Sequence, residues 1–109
     1  MKINDTELNF DLYDADTAQR YEQALSILRS IPQPDENTRL ADSIRTQCSA
    51  VFSFFDTLFG TGTSLKLFGK ETNLTKCLTA TEKILLEVNR QQKNMVRLIE
   101  QCRGEGFDS

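Results

Sequence analysis

The residue types that most often carry chemistry are thinly supplied in this chain. It contains no histidine, which removes at once the imidazole general base, the His-activated nucleophile and the imidazole metal ligand. Cys48, Cys77 and Cys102 are odd in number, widely spaced and without a CxxC pair. They fit reduced thiols packed in a core better than a metal site or a disulfide framework. Asp11, Asp14 and Asp16 cluster as the acids of a calcium loop do, but the glycine and the closing glutamate of such a loop are missing. Capping of a following helix accounts for Asp14 and Asp16 without a metal. The Gly60–Lys70 segment has the flavour of a phosphate-binding loop, yet the GxxxxGK[ST] spacing fails: Ser64 stands at the first glycine and Glu71 follows Lys70. Two helix ends explain the same residues. The expectation is a protein that is not an enzyme and uses neither metal nor cofactor.

Binding through apolar surface is the chemistry that remains. Phe52, Phe54, Phe55, Phe59 and Phe68 crowd into one stretch of sequence. Phe52, Phe55 and Phe59 read first as core at helical spacing. Phe54 lies at the edge of that stripe and Phe68 in a short loop helix, so for these two an exposed patch receiving another chain is an equal reading. Met95, Val96, Ile99 and Cys102 form a later stripe that either packs internally or seals against a second copy. The candidate partner-binding residues are therefore Phe54, Phe59, Phe68, Met95 and Ile99.

Composition sets the environment in which such binding would occur. The 109 residues are 39% apolar and 27% charged, with a net charge of −3, which describes one domain with a real core. Area scaling predicts roughly 6,100 Å² exposed when folded against roughly 18,000 Å² unfolded. The acidic balance gives no electrostatic reason to approach nucleic acid or an anionic membrane. Residues 1–36 hold eight acids and three bases, net −5, whereas residues 37–109 hold eight acids and ten bases, net +2. No signal-peptide pattern and no run of roughly 20 apolar residues is present, so a cytoplasmic protein is expected.

The elements that must position these residues follow from periodicity. Leu8, Phe10 and Leu12 alternate with polar residues, and the turn-prone Asn4-Asp5-Thr6 lets Lys2-Ile3 pair back on residues 7–12 as a hairpin within residues 1–13. Asp14 or Asp16 caps a helix with Ala18, Tyr21, Leu25 and Leu28 in phase, ending before Pro32 and Pro34. Asp35 begins a second helix whose stripe is Leu40, Ile44, Cys48, Val51, Phe55 and Leu58, within about 80° at 100° per residue. Gly60 and Gly69 each follow a Leu-Phe pair, where helices commonly end, with Thr63 capping a short helix between them. Thr72 or Asn73 opens a third long helix with Leu74, Cys77, Leu78, Thr81, Leu85 and Val88 in phase. If unbroken from 73 to 102 it is about 45 Å long and outreaches the second helix. The predicted fold is mainly α (α+β): a small bundle of three main helices with an N-terminal β-hairpin. It forms one domain over residues 1–103, followed by a flexible tail over 104–109.

One resemblance bears on function. The opening Lys2-Ile3-Asn4 with Leu8-Asn9-Phe10-Asp11-Leu12-Tyr13-Asp14, then Ala18-Gln19-Arg20-Tyr21-Glu22, and later Leu67-Phe68-Gly69 with Asn73-Leu74-Thr75-Lys76-Cys77-Leu78, is the arrangement in question. It resembles the small tail-assembly-chaperone-like proteins of long-tailed phages and prophages, encoded between the major tail protein and the tape measure. The likeness spans residues 2–90 and rests on short, apolar motifs. It implies a non-enzymatic protein of the host cytoplasm that binds the tape measure protein and helps tail-tube subunits assemble around it. It brings no catalytic residues and no defined binding residues. Several copies per client are expected, with residues 91–102 able to join a homo-oligomer. The alternative from a different class is a helical adaptor or regulatory module that binds one folded partner and stays bound.

Overall fold

The alternating N-terminal segment forms a shorter hairpin than its pattern predicts. In the computed structural model, which describes residues 1–107, strand β1 is Lys2–Ile3 and strand β2 is Thr6–Glu7. They pair antiparallel with Lys2 opposite Glu7 and Ile3 opposite Thr6. Asn4 and Asp5 make the turn with φ of 49° and 63°, the left-handed pair that a two-residue hairpin of this twist requires. Beyond Glu7 the pairing continues only at Leu8, whose N–H donates to the Met1 carbonyl at 2.7 Å and whose carbonyl accepts from the Met1 amino group at 3.2 Å. Phe10 and Leu12 still bury one side of an extended segment, but they lie on helices and have no strand partner. Period-two patterning reports burial of one face, and a helical surface can supply that burial as well as a sheet.

Four helices follow: α1 Ala15–Arg29, α2 Leu40–Phe59, α3 Thr63–Phe68 and α4 Leu74–Phe107. The fold is mainly α, with three long helices and the small hairpin. Asp14 caps α1 by accepting the Thr17 backbone N–H at 3.0 Å, as the acid-rich start predicts. Hydrogen bonding to the Thr17 backbone, then to its hydroxyl, holds the Asp14 carboxyl below its ordinary range.

The start of α2 departs from expectation. Asp35 does not open it, because Asp35 and Thr38 close a turn on themselves: the Asp35 N–H donates to Thr38 Oγ1 at 3.0 Å and the Asn37 N–H to Asp35 Oδ1 at 2.9 Å. Such local side-chain bonds compete with helix formation. The helix begins at Leu40, which is exposed and not part of the buried stripe.

Gly60 and Gly69 end α2 and α3 with φ of 114° and 61°, conformations that a side chain resists. The short α3 begins behind Gly62, which offers no side-chain cap. Its N-terminus is instead held from α2, where Asp56 accepts the Ser64 N–H at 2.8 Å and the Ser64 hydroxyl at 3.1 Å. A carboxylate there also faces the positive end of the helix dipole. Asn73 then caps α4 through the Lys76 N–H at 3.0 Å.

The core gathers Ile3, Phe10, Ala24, Cys48, Val51, Phe54, Phe55, Leu58, Phe68 and Ile84 among others. Its centre is aromatic: Phe54 meets Phe55 and Tyr21 edge-on at 5.3 and 6.4 Å, and Phe55 meets Phe68 at 5.6 Å. Helix α4 overruns this core. Its 34 residues make about 51 Å of helix against about 30 Å for the 20 residues of α2. The molecule is consequently elongated, 63 × 31 × 20 Å, with a radius of gyration of 17.1 Å where about 13 Å is usual for this length. Its 7689 Å² of accessible surface exceeds the roughly 6,100 Å² of a compact chain for the same reason. The expected tail at 104–109 is helical through Phe107; its last two residues lie outside the described part.

Candidate partner-binding surface

Tight packing of α1 on α2 leaves α1 and α4 without a comparable contact. Between them is a cleft of about 440 Å³ lined by the apolar Leu12, Ala18, Tyr21, Leu25 and Met95, with Glu22 and Arg29 among its charged residues. Its size falls within the roughly 300–1,000 Å³ of sites that accept a few side chains or a small ligand.

The cleft is fixed on one side by a buried polar clamp. Gln91 lies in the core-facing stripe of α4 and is 4% exposed. Its Oε1 accepts the Leu12 backbone N–H at 2.8 Å, and its Nε2 donates to the Phe10 carbonyl at 2.9 Å and to Glu87 Oε2 at 2.7 Å. The Tyr13 hydroxyl donates to the Gln91 carbonyl at 3.3 Å and accepts from Asn94 Nδ2 at 2.6 Å. The extended segment 8–13 is thus tied to α4, replacing the strand partner it lacks. Hydrogen bonds from Arg90 and then Gln91 hold the Glu87 carboxyl down at about 2.

Past this clamp the core-facing stripe of α4 continues with nothing on it. Cys77, Ile84, Val88 and Gln91 are buried, whereas Leu98 and Cys102, on the same side at 3.6 residues per turn, are exposed. Met95 stands at the transition, half-buried in the cleft.

The expected partner-binding residues separate on this geometry. Phe54 and Phe68 are 0% and 6% exposed, so they are core residues; this corrects their candidate role in a surface patch. By its phase Phe54 lies at the edge of the α2 stripe, but α1 covers that edge with Tyr21. Phe68 is turned inward by α3, against Phe52 and Phe55. Phe59 is half-buried, meeting Phe10 edge-on at 5.8 Å, beside a shallow depression with Asn9 and Arg20. Met95 lines the cleft, and Ile99 is 52% exposed on the overhang. The structure therefore brings Met95 and Ile99 together near the clamp and leaves the phenylalanines elsewhere.

Cleft residues Tyr21 and Leu25 were legible as one helix stripe but not as a surface, since nothing in their spacing says that α4 stays apart. Gln91 carried one signal: within the polar stretch 89–94 it is the residue that falls on the core phase of α4 between Val88 and Met95.

Cys48 and Cys77 are buried, and burial, then the neighbouring Cys48 thiol, pushes the Cys77 thiol up to about 12. Such a thiol is a poor nucleophile at neutral pH. Cys102 is exposed, which corrects its expected place in a core. Among the described residues no group of three or more Cys, Asp or Glu is disposed to hold a metal ion, and no helix is long and apolar enough to cross a membrane.

These features define a small helical domain whose distinctive surface is an apolar cleft running into an overhanging helix. The chain belongs to the family described as Family of unknown function (DUF6673), whose sequence profile matches residues 4–103. That span includes the clamp and the overhang as far as Arg103, so the projecting turns are part of the family's unit. No curated protein and no solved structure matches this chain.

Proposed function

We propose that this protein is a tail-assembly chaperone of a long-tailed phage or prophage, holding the tape measure protein in the host cytoplasm while tail-tube subunits assemble around it. The observation that carries the reading is the apolar cleft between α1 and α4, continued past Met95 by the uncovered Leu98 and Cys102 stripe. An amphipathic helix of a long helical client would lay its apolar side chains there in the helix-in-groove mode, with Glu22 and Arg29 meeting its polar flanks. The sequence resemblance supports the same reading, with the binding surface moved from the phenylalanine cluster to this cleft. A cleft this small anchors only a few side chains, which suits a helper that must let go as the tube grows.

Co-expression with the tape measure protein of the same genome tests it. The tape measure should become soluble, and Leu25→Glu or Leu98→Asp should abolish the rescue while leaving the helical content of this protein intact. Unchanged tape-measure solubility would refute the reading. A permanent one-to-one complex with a different, folded partner would favour the adaptor alternative.

A further inference from the structure

Beside its core-facing stripe, α4 carries a second line of aliphatic side chains. Leu78, Leu85, Val96 and Ile99 are between 42% and 56% exposed. At 100° per residue they fall within about 60° of one another, along about 32 Å of helix. Glu82, Asn89, Gln92 and Arg103, also exposed, complete the line at the alternating four- and three-residue steps of a coiled-coil seam. Leu78, Leu85 and Val96 do not line the cleft, Gln92 lies at its edge, and Ile99 sits where the two lines meet.

This seam is complementary to its own reversal. Setting Leu85 against Val96 of a second, antiparallel copy also sets Asn89 against Gln92, Glu82 against Ile99 and Leu78 against Arg103. The amides form a polar layer about the two-fold axis. At each end the Arg103 stem lies on Leu78 and its guanidinium reaches Glu82, one turn along, so the opposite charges meet twice. A parallel pairing would instead face Glu82 with Glu82 and Arg103 with Arg103. We propose that the chain forms an antiparallel homodimer through this outer line of α4.

The area available sets its strength. Contact from residue 78 to 103 is about 38 Å long and one helix face wide, with polar side chains at half of its eight positions, a narrower seam than the broad patch of a standard stable interface. The dimer is therefore one that dissociates on dilution. It does not depend on the identity of the client.

Sedimentation of the full chain over micromolar to millimolar concentrations tests the proposal. A monomer-to-dimer transition is expected. Leu85→Glu and Val96→Glu should each raise the dimer Kd at least about tenfold with unchanged circular dichroism. Glu82→Arg and Arg103→Glu should each weaken the dimer, and the two together should restore it. A chain that stays monomeric throughout, a dimer indifferent to Leu85 and Val96, or charge reversals that add instead of compensating would each overturn it.

Discussion

The Leu12 backbone N–H and the Gln91 side chain, 79 residues apart in sequence, form a buried hydrogen bond of 2.8 Å. Around it the extended segment beyond Leu8, which has no strand to pair with, is attached to the longest helix. The amide is the right group for this, because it accepts from Leu12 and donates to Phe10 with the same side chain.

Gln91→Leu should destabilise the protein by about 2–4 kcal/mol, since it strands a buried N–H and a buried carbonyl, each costing about 1–3 kcal/mol. Urea denaturation measures the loss. Hydrogen exchange should show the Leu12 amide losing protection while the α2 amides remain slow at matched stability.

Phe54→Ala should cost about 3–5 kcal/mol, as truncation of a sealed aromatic does. A loss below about 1 kcal/mol on thermal or urea unfolding would return Phe54 to the surface.

Asp56→Ala should lower stability by about 1 kcal/mol, the usual worth of a helix cap, because α3 has no cap of its own. The amide resonance of Ser64 should shift most, and Asp56→Asn should recover part of the loss.

Glu87 gives a pH signature. Its carboxyl titrates at about 2 in the folded chain against an ordinary 4.5, so the folded state holds fewer protons between those values. The resulting stabilisation is complete above about pH 5 and disappears as pH falls through 2. Arg90 is largely exposed, so solvent screens its share of the pair and the effect weakens with added salt. The stability difference between wild type and Glu87→Gln should be flat above pH 5 and shrink towards pH 2.

Much of this architecture is written locally. The Asp14 cap, the Asn73 cap, the two glycine stops and the phase of α4 are short-range signals, and each is realised where the spacing places it. What spacing cannot carry is which neighbour arrives. Phe54 and Leu40 illustrate the two failures: α1 covers an edge position of α2, whereas Leu40 keeps the phase of the buried stripe but stands at the first residue of α2, where it is left exposed. The cleft depends on the separation of two helices distant in sequence, so its members were visible only as ordinary stripe residues. The exposure of Ile99 was legible because the apolar phase of α4 runs on past the length of any helix available to cover it.

The three thiols divide unequally between inside and outside, with Cys48 and Cys77 sealed and Cys102 in solvent. A maleimide dye offered to the native chain should therefore attach at a single position on the projecting turns, ready for fluorescence without mutagenesis. Once the chain opens, three sites become reactive, and the stoichiometry of labelling itself becomes a clock for global unfolding.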